Sequence, residues 1–256
     1  MPRLKQSAML RNFNSATPFD EMCREAARLG YKGFDTILPE NWPTLRKHGL
    51  VPALVLSTAT PVPFTDGIVT KALHDKMEAL IHADLDQAAA GGCSTVGVAG
   101  GQRRGLSYEQ GMDNCVALLN RVKAHAEDKA VNICIEVQSR HDRPDQICDH
   151  VAWAVEMCKR VNSPRVKVLF DCYHIQIMDG DIVRNIRDHI AWICHFHVGG
   201  LNGRREIDAT QELNYRFVAK AIADLGFTGY IGHEWTPSPG HDPLKALAEA
   251  FATIDV

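Results

Sequence analysis

Eight short apolar runs, each parted from the next by a longer amphipathic stretch, limit what this chain can fold into. The runs lie near 4–10, 33–38, 50–57, 94–99, 131–136, 166–171, 191–198 and 229–234. The stretches between them carry helix signals. Thr17-Pro18 followed by Asp20 and Glu21 predicts an N-cap, a first-turn proline and acids at the positive end of a helix dipole, with the helix stopping at Gly30. A segment from about 70 to 90 ends at Gly91-Gly92, a C-cap signal. Ser107 with Gln110 three residues on has the spacing of a capping box. Pro144 and Pro243 mark expected starts of the fifth and eighth helices, and a helical pattern from Leu213 to Leu225 closes at Gly226.

A helix after each strand returns the chain to the same edge, so the strands run parallel. Two architectures compete for such a pattern. A doubly wound sheet usually needs a glycine-rich phosphate turn after its first strand, and "AMLRNFNSATP" has none. A closed (β/α)8 TIM barrel fits both the number of units and the 256 residues. No linker, low-complexity tract or sequence repeat interrupts the rhythm. The expectation is a single (β/α)8 barrel domain spanning residues 1–256.

Barrel enzymes carry their chemistry at the C-terminal ends of the strands. Strand five, "VNICIE", ends in Glu136, and strand six, "VKVLFD", ends in Asp171. Strand seven, "ICHFHV", carries His195 and His197, and strand eight, "GYIGHE", ends in Glu234. A carboxylate ending a buried strand is costly unless something pairs with it. A lone acid there is more often a helix N-cap or a salt-bridge partner. Four consecutive strands ending in three carboxylates and an imidazole instead have the composition of a hard divalent-metal site, suited to Mg²⁺ or Mn²⁺. His195 and His197 alternate across Phe196 and share a face, so one ligates and the other supports or packs.

Composition excludes little but points one way. The net charge is −3, the pI is near 6.4 and the basic residues form no run, which argues against a nucleic-acid or membrane-surface partner. Eight cysteines without a C-x-x-C pair sit in apolar stretches, as small buried residues do in a reducing compartment. The N-terminus lacks a signal-peptide core, so a cytoplasmic location is expected.

The stretches "IEVQ", "FDCYH", "HFHVGGLNGRRE", "ELNY" and "GYIGHEW" resemble the xylose isomerase-like family of sugar isomerases and epimerases, and within it the hydroxypyruvate isomerases most. The similarity runs over nearly the whole chain and is densest from Val131 to Trp235. D-x-x-H after strand six and G-R-x-E after strand seven are specific when found in that order. The resemblance implies a divalent metal held by Glu136, Asp171, His197 and Glu234. It implies that Glu136 and Glu234 also transfer protons, and that His174 and Arg204 contact the substrate, Arg204 at a carboxylate or hydroxyl end. The expected reaction is conversion of a small hydroxy-carbonyl compound through an enediolate, with hydroxypyruvate to tartronate semialdehyde as the leading case. A metal on the carbonyl and hydroxyl oxygens stabilises that charge, and a positioned carboxylate serves as base.

Gln138, Ser139, Arg140 and His141 depart from the family pattern after strand five, and Asp35 ends strand two where a glutamate is frequent. Taken singly, His141 and Trp235 are a rim histidine and a packing aromatic. Three rival readings stand beside the isomerase: a ketose 3-epimerase of the tagatose or psicose type, a metal-dependent DNA-repair nuclease, and a non-catalytic sugar-binding barrel. The nuclease would need a histidine-rich zinc cluster and backbone-tracking cations. The binding barrel would not need both glutamates. The partner expected is a small molecule, with room for a homo-oligomer of the chain.

Overall fold

The computed structural model describes residues 4–9, 17–62, 64–201 and 203–256. Eight strands close into a barrel in chain order: β1 Lys5–Met9, β2 Gly33–Asp35, β3 Val51–Leu56, β4 Thr95–Val98, β5 Asn132–Glu136, β6 Val166–Asp171, β7 Ile193–Val198 and β8 Tyr230–His233. Every pairing with a described register is parallel. The connecting helices are α1 Phe19–Leu29, α2 Trp42–Lys47, α3 His74–Gly91, α4 Tyr108–Lys129, α5 Val151–Val161, α6 Cys172–Met178, α7 Ile182–His189, α8 Tyr215–Asp224 and α9 Pro243–Ile254. The expected (β/α)8 TIM barrel is what the chain forms. Residues 10–16, where the missing phosphate turn was read, lie outside the described residues.

Most of the predicted helix punctuation is realised. Ser107 caps α4 in a complete capping box: its hydroxyl accepts from the Gln110 N–H, and the Gln110 side chain accepts from the Ser107 N–H. Gly30 and Gly92 take left-handed backbone angles after α1 and α3 and return N–H groups to the last turn. Pro243 stands in the first turn of α9 behind the Asp242 cap. Two expectations need correcting. Pro18, not Thr17, occupies the N-cap of α1, because its extended backbone still precedes the first turn. Pro144 does not open α5. It lies in a turn that continues through Asp145, at positive φ, and Gln146, bridged to Gln102, and the helix begins only after His150.

Internal contacts gather the chain into two compact units. The first comprises residues 1–53, 181–190 and 195–256. Its core holds Phe34, Phe196 and Ile231, with the Tyr31 ring against His233 and Phe251. Tyr31 donates its hydroxyl to the Leu247 carbonyl, and Gln6 donates to the Phe251 carbonyl while its other end meets His233 Nε2. The second comprises residues 54–180 and 191–194. Leu54, Cys134 and Leu169 meet there from three strands, with Cys194 packed on them. Each fully buried aliphatic or aromatic side chain of this kind contributes about 1.5–3 kcal/mol.

Candidate metal and active site

In the second unit, two strand-end carboxylates are set by their own backbones. Asp171, the last residue of β6, is fully buried and caps α6: its Oδ1 accepts from the Tyr173 N–H at 2.9 Å. The N-cap role that is ordinary for a strand-end acid is therefore real, and it uses only one of the two oxygens. The other, Oδ2, lies 3.7 Å from His174 Nε2, one helical turn on. His174 is itself buried, with Nδ1 3.5 Å from Asp142. Glu136 ends β5 half-buried, and its Oε2 accepts from the Gln138 amide at 2.6 Å. Gln138, a departure from the family pattern, thus orients a predicted site residue.

In the first unit, His197 on β7 has a carboxylate at each ring nitrogen. Nε2 is 3.3 Å from Asp35 Oδ2, and Nδ1 is 2.6 Å from Glu234 Oε2. A neutral imidazole carries one N–H, so it can donate to one of these carboxylates only. The other contact sets a lone pair against an anion and needs a cation, either a second proton or a metal. Glu234 stands just past β8, buried, and Arg204 grips it twice: Nε donates to its carbonyl at 2.9 Å and Nη2 to its carboxylate at 2.7 Å. Arg204 takes a positive φ of 58° to do so. His195 lies on the same face of β7 as His197, with its Nε2 3.0 Å from Asp35 Oδ2. Burial opposes ionisation of Asp35, but the two imidazoles outweigh it and hold its carboxyl below the usual carboxylate range. Trp235 is buried and His141 exposed.

Among the described residues, two groups have metal-ligand composition: Asp35 with His195 and His197, and Glu136 with Asp171, His197 and Glu234. Within the first, which belongs to one unit, one ligand atom per residue lies within 4.8 Å of the others. The second group is the predicted set. Three carboxylates and one imidazole are hard donors that fit Mg²⁺ or Mn²⁺. The first group contains Asp35, which the sequence reading left out of the site. The signal that could have found it is the strand-end rule itself, applied to β2 as it was to β5 through β8.

The model of the xylose isomerase-like TIM barrel family matches residues 23–254. The chain belongs to that family. A 2-oxo-tetronate isomerase of Cupriavidus necator is 35% identical over 115 residues, which are 45% of this chain and 44% of that protein. Another, from Pectobacterium atrosepticum, is 26% identical over 247 residues, covering 91% and 92% of the two chains. A Danio rerio protein provisionally named hydroxypyruvate isomerase is 33% identical over 101 residues, 40% of this chain and 37% of that one. The chain thus spans under half the length of two of these three relatives. Among solved structures, an AP endonuclease of family 2 from Brucella melitensis superimposes with a TM-score of 0.84 at 24% identity, covering 95% and 96% of the chains. At that identity the likeness concerns the fold. As a xylose isomerase-like barrel, the chain has the fold the sequence motifs implied.

Proposed function

We propose that this chain is a divalent-metal-dependent isomerase of short 2-oxo acids bearing a hydroxyl on the neighbouring carbon. Hydroxypyruvate is the smallest such compound, and 2-oxo-tetronate is one hydroxyl-bearing carbon longer. The observation that carries the reading is the run of hard donors on four consecutive strands, Glu136 ending β5, Asp171 ending β6, His197 on β7 and Glu234 just past β8. The isomerase names of the relatives, one of them matched over nearly its full length, support the reaction class.

Glu136, Asp171, His197 and Glu234 would hold Mg²⁺ or Mn²⁺. When bound, the metal supplies Lewis-acid stabilisation of negative charge on the carbonyl and hydroxyl oxygens. Glu136 and Glu234 move the proton between adjacent carbons. The Gln138 amide on one and the Arg204 guanidinium on the other fix their oxygens for that transfer. His174 and Arg204 contact the substrate. The Arg204 guanidinium is matched in charge and shape to a substrate carboxylate. Eight free cysteines, seven of them buried, support work in a reducing compartment, the cytoplasm. Among the described residues no helix is long and apolar enough to cross a membrane.

Incubation with Mn²⁺ and a panel of hydroxypyruvate, 2-oxo-tetronate, fructose, tagatose and psicose in D₂O tests the reading. Turnover of a 2-oxo acid with solvent deuterium entering the product is expected. Action on the ketohexoses alone would replace this reading with an epimerase, and binding without exchange would replace it with a non-catalytic barrel.

A further inference from the structure

Within one unit, residues 204–206 are zipped to residues 234–241 by a run of hydrogen bonds. The Arg204 carbonyl accepts from the Thr236 N–H at 3.1 Å. The Arg205 guanidinium donates to the Thr236 and Pro237 carbonyls at 3.3 and 3.0 Å. Glu206 closes the run. Its Oε1 accepts from the Ser238 N–H at 2.7 Å and meets His241 Nδ1 at 3.0 Å, and its Oε2 accepts from the Ser238 hydroxyl at 2.7 Å. Behind the zipper, Gly200 and Arg205 exchange backbone bonds at 2.9 and 3.3 Å. Two glycines leave room for this approach. A Cβ on Gly200 would run into the Glu206 carbonyl, and one on Gly199 would fall 2.9 Å from the Glu234 carbonyl oxygen and 3.1 Å from Arg204 Cγ.

Arg204 stands at the head of the zipper with a φ of 58°. An arginine keeps that left-handed conformation only where its surroundings over-determine it. We propose that Glu206 is a positioning residue: by tying this segment to Ser238 and His241 it keeps Arg204 left-handed, with its guanidinium on Glu234. Glu206 is ionised at neutral pH, so its bonds are charge-assisted and hold more firmly than the neutral backbone pairs beside them. The inference rests on the isomerase reading above for its purpose, in which Arg204 meets the substrate and fixes Glu234 for proton transfer. Small displacements of such groups cost turnover far out of proportion to their size.

The full chain labelled with ¹⁵N-arginine tests it, the Arg204 Nε–H being assigned by its loss in Arg204→Lys. In wild type that proton should exchange slowly with solvent, because it is donated to the main chain of buried Glu234. Glu206→Ala should speed its exchange at least about tenfold, Ser238→Ala by roughly fivefold for one lost bond, and Glu206→Gln should restore most of the protection. Ser107→Ala, which weakens α4 in the other unit, should leave it unchanged. Fast exchange in wild type, or exchange in Glu206→Ala as slow as in wild type, would overturn the proposal. Equal acceleration in Ser107→Ala would reduce the effect to lost stability and overturn it too. If Glu206→Ala does not fold, unchanged exchange in Ser238→Ala has the same force. On a 2-oxo acid that the wild type isomerises, Glu206→Ala should lower kcat/KM by roughly 10²-fold through both kcat and KM, and Glu206→Gln should recover most of it. Undiminished kcat/KM in Glu206→Ala would overturn the positioning role. Absence of turnover by the wild type would remove the isomerase reading alone, and exchange at Arg204 would still decide what Glu206 holds.

Discussion

On the proposed reading Asp171 carries two duties, closing the first turn of α6 through Oδ1 and holding the metal. The two duties separate by substitution. Asparagine caps helices about as well as aspartate, so Asp171→Asn should leave the thermal midpoint within a few degrees of wild type while lowering Mn²⁺ affinity at least about tenfold. Asp171→Ala should lose the cap as well, at about 1 kcal/mol. Calorimetric titration beside thermal melts checks both, and equal Mn²⁺ affinity in wild type and Asp171→Asn would remove Asp171 from the ligand set. Glu136→Gln keeps a polar partner for Gln138 but no base. Turnover and solvent-deuterium exchange should fall together by about 10²–10⁴-fold, the usual contribution of a positioned proton-transfer group. Exchange retained at wild-type rate would assign the base elsewhere.

At the scale of elements, much was legible because the relevant signals are local. The Ser107–Gln110 box, the glycines after α1 and α3, and Pro243 act through bonds within one turn, so sequence spacing contains them. Pro144 misled because its turn is set by contacts from distant sequence, such as the Gln102–Gln146 bridge and the Arg104 N–H to Asp145 bond. The contacts of Asp35, though not its place at a strand end, were hidden for a related reason. Its partner His195 lies 160 positions along the chain, and the gap that admits it is a glycine on another strand. Ser107→Ala should cost about 1 kcal/mol, a fall of roughly 2–4 °C in thermal midpoint for a chain of this size, with Mn²⁺ affinity unchanged. The segment after β7 makes a pH-dependent prediction. Glu206 accepts from the N–H and hydroxyl of Ser238 and meets His241 Nδ1 at 3.0 Å. Burial works against its ionisation, but these bonds outweigh burial and bring its carboxyl down to about 2. A folded value below the unfolded one means stability present above about 4.5 and lost as pH falls toward 2. The melting difference between wild type and Glu206→Gln should therefore be full at pH 6 and shrink between pH 4.5 and 2. A difference constant across that range would contradict the assignment.

On the scale of the whole molecule, the fold was readable because a barrel repeats one unit, and eight repetitions of the same pattern reinforce one another. The candidate site was proposed from the same repetition, since consecutive strands of a barrel end at the same rim. All eight cysteines are free, and only Cys194 is other than buried. Burial raises the Cys23 and Cys158 thiols to about 12, so neither forms much thiolate at neutral pH. A thiol-reactive dye should label at most Cys194 quickly in the native protein and all eight after unfolding, and rapid labelling of several native thiols would contradict the packing. The central claim is that Glu136, Asp171, His197 and Glu234 share one divalent ion. Crystals soaked in Mn²⁺ and read by anomalous scattering test it most directly. A single strong manganese peak ligated by those four side chains is expected. A peak ligated by other residues, or no peak among the four at saturating Mn²⁺, would contradict it.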